Sequence, residues 1–282
     1  MNECLSPEEI TRYVVHLGEH KTRRKWWVQF LLGVMAGIFI ALSSYGSGVA
    51  SYGISPAGLG KALAGALFST GLLLVLCAGG DLFTGNNLII MSVFEKKNTV
   101  YNMLRNWVIV YIGNFVGSML IVILVYTAGA LSLDNGMLGA YTIKTAVIKT
   151  GYSFQSALSL GVLCNILVCL GCWLAYGAKD MAGKALGIFF PIWLFITSGF
   201  EHSVANMFYI PMGLLVKGNA QYQQAAVSQY HITMDQITNN LTWGNFFAKS
   251  LLPVTIGNII GGSLLIGGIY WLVYIKSEKG RK

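Results

Sequence analysis

Thr197-Ser198-Gly199-Phe200-Glu201-His202-Ser203-Val204-Ala205-Asn206-Met207 lies between two apolar runs, residues 186–196 before it and 208–216 after it. A carboxyl, an imidazole, an amide and several hydroxyls thus occupy the middle of a segment long enough to cross a bilayer. Ionisable groups at that depth are costly and by default mark a substrate path. A helix can break there only where protein or a water-filled cavity satisfies the freed backbone groups. The stretch therefore reads as the break in a discontinuous transmembrane helix of a small-solute pore, with His202 at its heart.

Composition agrees. The chain has 282 residues, 55% hydrophobic and 11% charged, with a mean hydropathy of +0.61. A soluble domain carries about 25% charged residues, so repeated long apolar runs with so few charges predict an all-α polytopic membrane protein. The net charge of +8 does not point to nucleic acid, because the basic residues gather just outside the apolar runs. Residues 1–25 are polar and charged, without the apolar core of a cleavable signal.

Six spans are expected, at about residues 26–48, 59–94, 104–131, 154–178, 184–216 and 246–275. The second is too long for one ordinary span and is interrupted by Gly79-Gly80-Asp81-Leu82-Phe83-Thr84-Gly85-Asn86-Asn87, read as a tight loop. Spans two and five are thus both broken at mid-membrane. Before the channel domain of residues 26–275 comes a segment, 1–25, with a short amphipathic helix over 6–20. Ser6 can cap it, Pro7 suits its first position, Glu9 completes a capping box, and Ile10, Val14 and Leu17 share a face. A basic tail, 276–282, follows the last span. Fourteen of the nineteen Lys and Arg then fall on the side of the two termini, against Lys61, Lys144, Lys149, Lys217 and Lys249 on the other. That asymmetry predicts both termini in the cytoplasm.

Gly113-Asn114-Phe115-Val116-Gly117-Ser118 in span three echoes Gly257-Asn258-Ile259-Ile260-Gly261-Gly262-Ser263 in span six. Three spans per half force the halves into opposite topology, an inverted 3+3 repeat whose substrate site lies near the midplane. Helix ends inside the membrane offer free N–H groups and positive dipole ends to an anion. Thr84, Asn86, Ser203 and Asn206 can complete a polar midpoint between apolar gates, and His202 can donate a hydrogen bond or a proton to a weak-acid anion there. Glu201 and Asp81 would repel an anion and are read as structural, Asp81 as a partner for backbone N–H groups in its loop. Lys149, on the outer side, is either a solvated loop lysine or a residue that concentrates anions at a pore mouth.

The runs Leu82-Phe83-Thr84-Gly85, Gly199-Phe200-Glu201-His202-Ser203-Val204-Ala205-Asn206-Met207 and Pro253-Val254-Thr255-Ile256-Gly257-Asn258-Ile259-Ile260-Gly261-Gly262 resemble the formate/nitrite transporter family over about residues 10–275. The resemblance implies an aquaporin-like protomer, a homo-pentamer and a pore through each protomer. It also implies His202 as the central histidine and Thr84 as the threonine that can bond it. It further assigns constrictions at Phe68, Leu72, Leu82, Val168 and Phe195, pore asparagines at Asn165 and Asn206, and an outer lysine at Lys149. Formate is the leading substrate; hydrosulfide, nitrite and proton-coupled symport are alternatives on the same scaffold, in a plasma or inner membrane.

No enzyme is expected. Ser203 adjoins His202, but neighbours on a helix face different ways, and no HExxH or paired catalytic aspartates occur. Of Cys4, Cys77, Cys164, Cys169 and Cys172, the last two stand in a CxxC spacing, but the neighbouring sequence offers no convergent His or acidic partner; all five read as packing residues, so neither metal nor cofactor is expected.

Overall fold

The computed structural model describes residues 4–277, and all of its regular structure is helical. Helix α1 (Pro7–Arg23) starts with the expected capping box: Ser6 Oγ accepts from Glu9 N at 3.3 Å, and Glu9 Oε2 accepts from Ser6 N at 2.7 Å. That backbone hydrogen bond from Ser6 holds the Glu9 carboxyl below its ordinary 4.5. The helix buries Ile10, Val14 and Gly18. Its start is tied to the bundle by Leu5 N, which donates to Gly177 O at 2.9 Å.

Next come α2 (Trp26–Ser51), α3 (Ala57–Gly79), α4 (Phe83–Phe94), α5 (Val100–Thr127), α6 (Leu133–Gly151) and α7 (Phe154–Gly177). They are followed by α8 (Met181–Thr197), α9 (Ser203–Val216), α10 (Ala220–Tyr230) and α11 (Trp243–Lys276). Five of them, α2, α3, α5, α7 and α11, are each long and apolar enough to cross a membrane. The expected second and fifth spans are each two helices meeting end to end, α3 with α4 and α8 with α9. A left-handed glycine stands at each stop: α3 ends on Gly79 at φ +101°, and Gly199 at φ +74° follows two residues after α8, a common helix-ending conformation that glycine adopts freely.

The structure corrects several boundaries. The first break is narrower than the expected loop over 79–87: only Gly80 to Leu82 leave the helix, which restarts at Phe83. The reason is that Phe83 N finds a side-chain acceptor, described below, so the chain needs no long loop. The third span begins at Val100, where Thr99 Oγ1 caps it by accepting from Asn102 N, rather than at 104. The segments between spans three and four and between five and six are not plain loops but contain α6 and α10. Of the expected basic tail, residues 278–282 lie outside the described residues.

Small residues decide how the spans pack. Glycines 33 and 37 of α2 face Gly113 and Gly117 of α5 so closely that a Cβ on Gly113 would lie 2.6 Å from Phe30 O, and one on Gly33 2.9 Å from Val110 O. Gly161 of α7 meets Gly257 of α11 likewise, a Cβ on Gly161 falling 2.7 Å from Val254 O. Without a hydrophobic force between helices in lipid, such backbone approach and the hydrogen bonds it permits do the packing.

Candidate functional site

The two breaks are built alike, and one asparagine secures each. Asn114 of α5 accepts from Phe83 N at 2.9 Å and donates to Asp81 O at 3.0 Å and Gly33 O at 2.8 Å. Asn258 of α11 accepts from Ser203 N at 3.0 Å and donates to Glu201 O at 3.1 Å and Gly161 O at 2.8 Å. A further backbone bond completes each: Asp81 N to Leu32 O at 3.0 Å, and Glu201 N to Leu160 O at 3.2 Å. The four residues that donate these backbone N–H groups, Asp81, Phe83, Glu201 and Ser203, are all buried, where a bare N–H costs about 1–3 kcal/mol. The echo between Gly113-Asn114 and Gly257-Asn258 is thus a working repeat: each supplies the amide that lets a helix stop and restart in the interior.

In this correspondence Leu82 matches His202, since each is the last residue of its break and precedes a restarted helix. The halves differ where it matters chemically. His202 is 2% exposed. It caps α9, with its Nδ1 accepting from Ala205 N at 3.0 Å, and its Nε2 lies 2.8 Å from Thr84 Oγ1. A ring nitrogen that accepts carries no proton, so the cap assigns the neutral tautomer with hydrogen on Nε2. Nε2–H then donates to Thr84 Oγ1, which leaves the threonine hydroxyl hydrogen free to turn elsewhere. Two O–H and N–H donors therefore meet at one buried point where the breaks face each other.

Two aromatic side chains flank that point. The ring of Phe68 lies 5.5 Å from that of Phe195, edge to face, and the two centroids are 6.5 and 6.1 Å from the His202 ring. Leu72 is one turn beyond Phe68 on α3, Leu82 lies in the first break, and Val168 lies on α7 one turn from Cys164 and Asn165; all are buried. The buried thiol of Cys169 on the same helix reaches Thr84 O at 3.5 Å.

The asparagines are more engaged than a pore lining suggests. Asn165 Nδ2 lies 2.6 Å from Asn258 O, 2.7 Å from Asn87 Oδ1 and 3.2 Å from Thr84 O, its two hydrogens shared among the three acceptors, and so ties together both breaks. Asn206 donates to Glu201 Oε2 at 2.7 Å and Ser250 Oγ at 2.9 Å. Asn86 is directed away from the midpoint, accepting from Lys21 Nζ at 2.6 Å and donating to Asn106 Oδ1 at 3.0 Å. Ser203 is buried beside the second break, and its Oγ has no hydrogen-bond partner.

Lys149 is not a solvated loop lysine. It sits in the last turn of α6, its side chain 14% exposed, with Nζ 2.8 Å from Glu201 Oε1 and 5.2 Å from the Tyr209 ring centroid. Glu201 is buried between this lysine and Asn206. The first half repeats the device: Asp81, also buried, has Oδ1 2.9 Å from Lys21 Nζ, an ion pair without hydrogen-bond alignment, and Oδ2 3.0 Å from Arg24 Nη1. The expectation that the Asp81 carboxylate serves loop N–H groups is therefore wrong; Asn114 does that, and Asp81 anchors the end of α1. Lys21, Asn106 and Ser250 were missed by inspection, although a signal existed. Lys21 stands as far before Gly33 as Lys149 does before Gly161, and Asn106 as far before Asn114 as Ser250 before Asn258. By that spacing α1 and α6 are equivalent parts of the repeat.

Known proteins resemble this chain in sequence and fold. Residues 8–272 match the family model described as formate/nitrite transporter. The chain is 36% identical over 279 residues to the formate channel FocA of Escherichia coli K12, covering 98% of this chain and 96% of FocA. It is 35% identical to the formate channel BtFdhC of Bacillus thuringiensis, covering 98% of each. It is also similar in structure to a pentameric formate channel with formate bound, with TM-score 0.78 and 34% identity over 89% of this chain and 98% of that one. A full-length family match, relatives above the identity that shows kinship and a shared fold converge: this multi-pass membrane protein belongs to the formate/nitrite transporter family, whose members are channels and transporters and not enzymes.

Proposed function

We propose that the chain is a channel for small monovalent weak-acid anions, with formate its substrate, and that each protomer of a homo-pentamer carries its own pore. The observation that carries this reading is the 2.8 Å contact between His202 Nε2 and Thr84 Oγ1, held between apolar side chains at the meeting point of two broken helices. The full-length relatives named as formate channels support formate over hydrosulfide and nitrite. In this reading the chain has six spans in an inverted 3+3 repeat, aquaporin-like in form. The channel domain is residues 26–275, in a plasma or inner membrane, and residues 1–25 and the tail 276–282 are cytoplasmic.

The chemistry follows from the parts. An anion moved into a narrow apolar passage loses hydration worth several kcal/mol even after the protein relaxes. Phe68, Phe195, Leu72, Leu82 and Val168 repel the charged form on both sides. At the midpoint His202 Nε2–H and Thr84 Oγ–H are donors that can turn from each other to a carboxylate, and neither is a fixed charge that would trap it. Asn165 and Asn206 hold the two breaks in register. Lys149 offsets the charge of Glu201, so the approach is not anionic. An anion that takes up a proton from the aqueous mouth crosses the apolar segments as the neutral acid, since a neutral His202 cannot give up its one ring proton without becoming an imidazolate.

Flux through the purified protein in proteoliposomes, with formate, nitrite and hydrosulfide compared across a pH series, tests this reading. Formate is expected to enter fastest, and its entry to quicken as the pH falls toward the acid's own pKa. A clear preference for hydrosulfide or nitrite would reassign the substrate, and flux that follows no weak acid would remove the function.

A further inference from the structure

At the end of the molecule that carries α1, a cleft of about 190 Å³ opens between the last turn of α1 and the chain that leads from α4 into α5. Arg23, Lys96, Lys97, Asn98, Thr99 and Asn102 line it. Its walls are fixed: Asn98 Nδ2 donates to Thr22 Oγ1 on α1 at 3.0 Å, and the N–H groups of Lys97 and Asn98 both donate to Ser92 O, at 2.9 and 3.1 Å. The turn places Lys96 at φ +56°, a conformation unusual for a residue with a side chain. Lys96 and Lys97 are exposed, and neither has an ion pair or side-chain hydrogen bond among the described residues. The nearby carboxylates are engaged by other groups than these two lysines: Glu19 offsets the charge of Arg23 at 2.6 Å, Asp81 pairs with Lys21 and Arg24, and Glu95 Oε1 accepts from Trp271 Nε1 at 2.8 Å.

Three residues beyond Lys97 begins α5, whose first turns expose apolar side chains. At the start of α5 Val100 is 54% exposed, Tyr101 74% and Leu104 47%, and on the packed neighbour α2 Trp26 is 60% exposed. Tyr and Trp mark the level of lipid headgroups. Unpaired cations in a built cleft at that level, beside a face suited to acyl chains, supply what an anionic phospholipid needs. We propose that this cleft binds the phosphate of an anionic phospholipid, held by Lys96 and Lys97, while the chains lie along α5 and α2. The site is separate from the pore and does not depend on what the pore conducts.

Binding of phosphatidylglycerol and of phosphatidylcholine with the same chains, measured by native mass spectrometry on the full-length purified oligomer, tests the site. The wild type is expected to retain phosphatidylglycerol selectively. The double variant Lys96→Gln with Lys97→Gln, at two exposed positions, is expected to weaken it about fivefold for each cation removed, without change for phosphatidylcholine. Removing two charges from the other end of the helices, Lys61→Gln with Lys249→Gln, leaves both lipids bound as before. Equal retention of phosphatidylglycerol in the Lys96/Lys97 variant overturns the proposal, as does a wild type that does not distinguish the lipids. Displacement by inorganic phosphate as effective as by free phosphatidylglycerol would make this a free-anion site and overturn it equally.

Discussion

Replacing His202 by phenylalanine is expected to cut formate entry by roughly a hundredfold while the oligomer survives. The imidazole has two roles in the structure: Nδ1 caps α9 through Ala205 N, and Nε2 meets Thr84 Oγ1. Losing the cap costs about 1 kcal/mol of helix stability, which a bundle secured by Asn258 tolerates. Losing the donor deprives a desolvated anion of a hydrogen bond worth about 1.5–3 kcal/mol, since one partner is charged, and the second ring narrows the passage. His202→Asn separates the roles. Asparagine is a good cap, so the fold is kept, but its short amide stops short of Thr84, and entry is expected to fall about tenfold or more. Undiminished formate entry in both variants, measured in proteoliposomes, would take His202 out of the path.

The second large effect concerns stability. Lys149→Met leaves Glu201 buried without its cation, and breaking a buried ion pair from one side costs about 3–5 kcal/mol. Lys149→Met is therefore expected to lower the melting temperature of the oligomer sharply, and adding Glu201→Gln is expected to restore most of it, because Gln still accepts from Asn206 without carrying a charge. Flux is expected to recover with stability in the double variant, because the Lys149–Glu201 pair and its neutral replacement present the same net charge to an anion. Equal melting of the wild type and Lys149→Met would mean that the 2.8 Å pair contributes nothing to the fold.

Much of this was legible in the residues. The two interruptions, the amphipathic start and the Gly-Asn echo follow from local rules: glycine where a helix must stop, a capping box where one begins, polar groups where apolar runs should be unbroken. The pairing of Thr84 with His202 came from family resemblance, and the structure brings the two side chains together at 2.8 Å. Long-range partnership was harder to read. Glu201 beside His202 looks like a stray charge until α6 carries Lys149 to it, and Asp81 looks like a loop residue until α1 folds back with Lys21 and Arg24. Those pairs link segments 52 and 60 residues apart, and no local pattern specifies a contact across that distance. Helices α6 and α10 escaped for a related reason. Their polar composition offers no long apolar run, and α6 starts from three left-handed residues, Asp134, Asn135 and Gly136, which read as a turn.

The most direct test of the central claim sets formate against a neutral solute in the same vesicles. Wild-type protein in proteoliposomes is expected to admit labelled formate far faster than protein-free vesicles do, and to leave osmotic swelling in glycerol at the protein-free rate, because two hydrogen-bond donors between apolar constrictions favour an anion of a small weak acid. Rapid glycerol swelling without formate entry, unaffected by His202→Phe, would contradict the account and make the passage a neutral-solute channel.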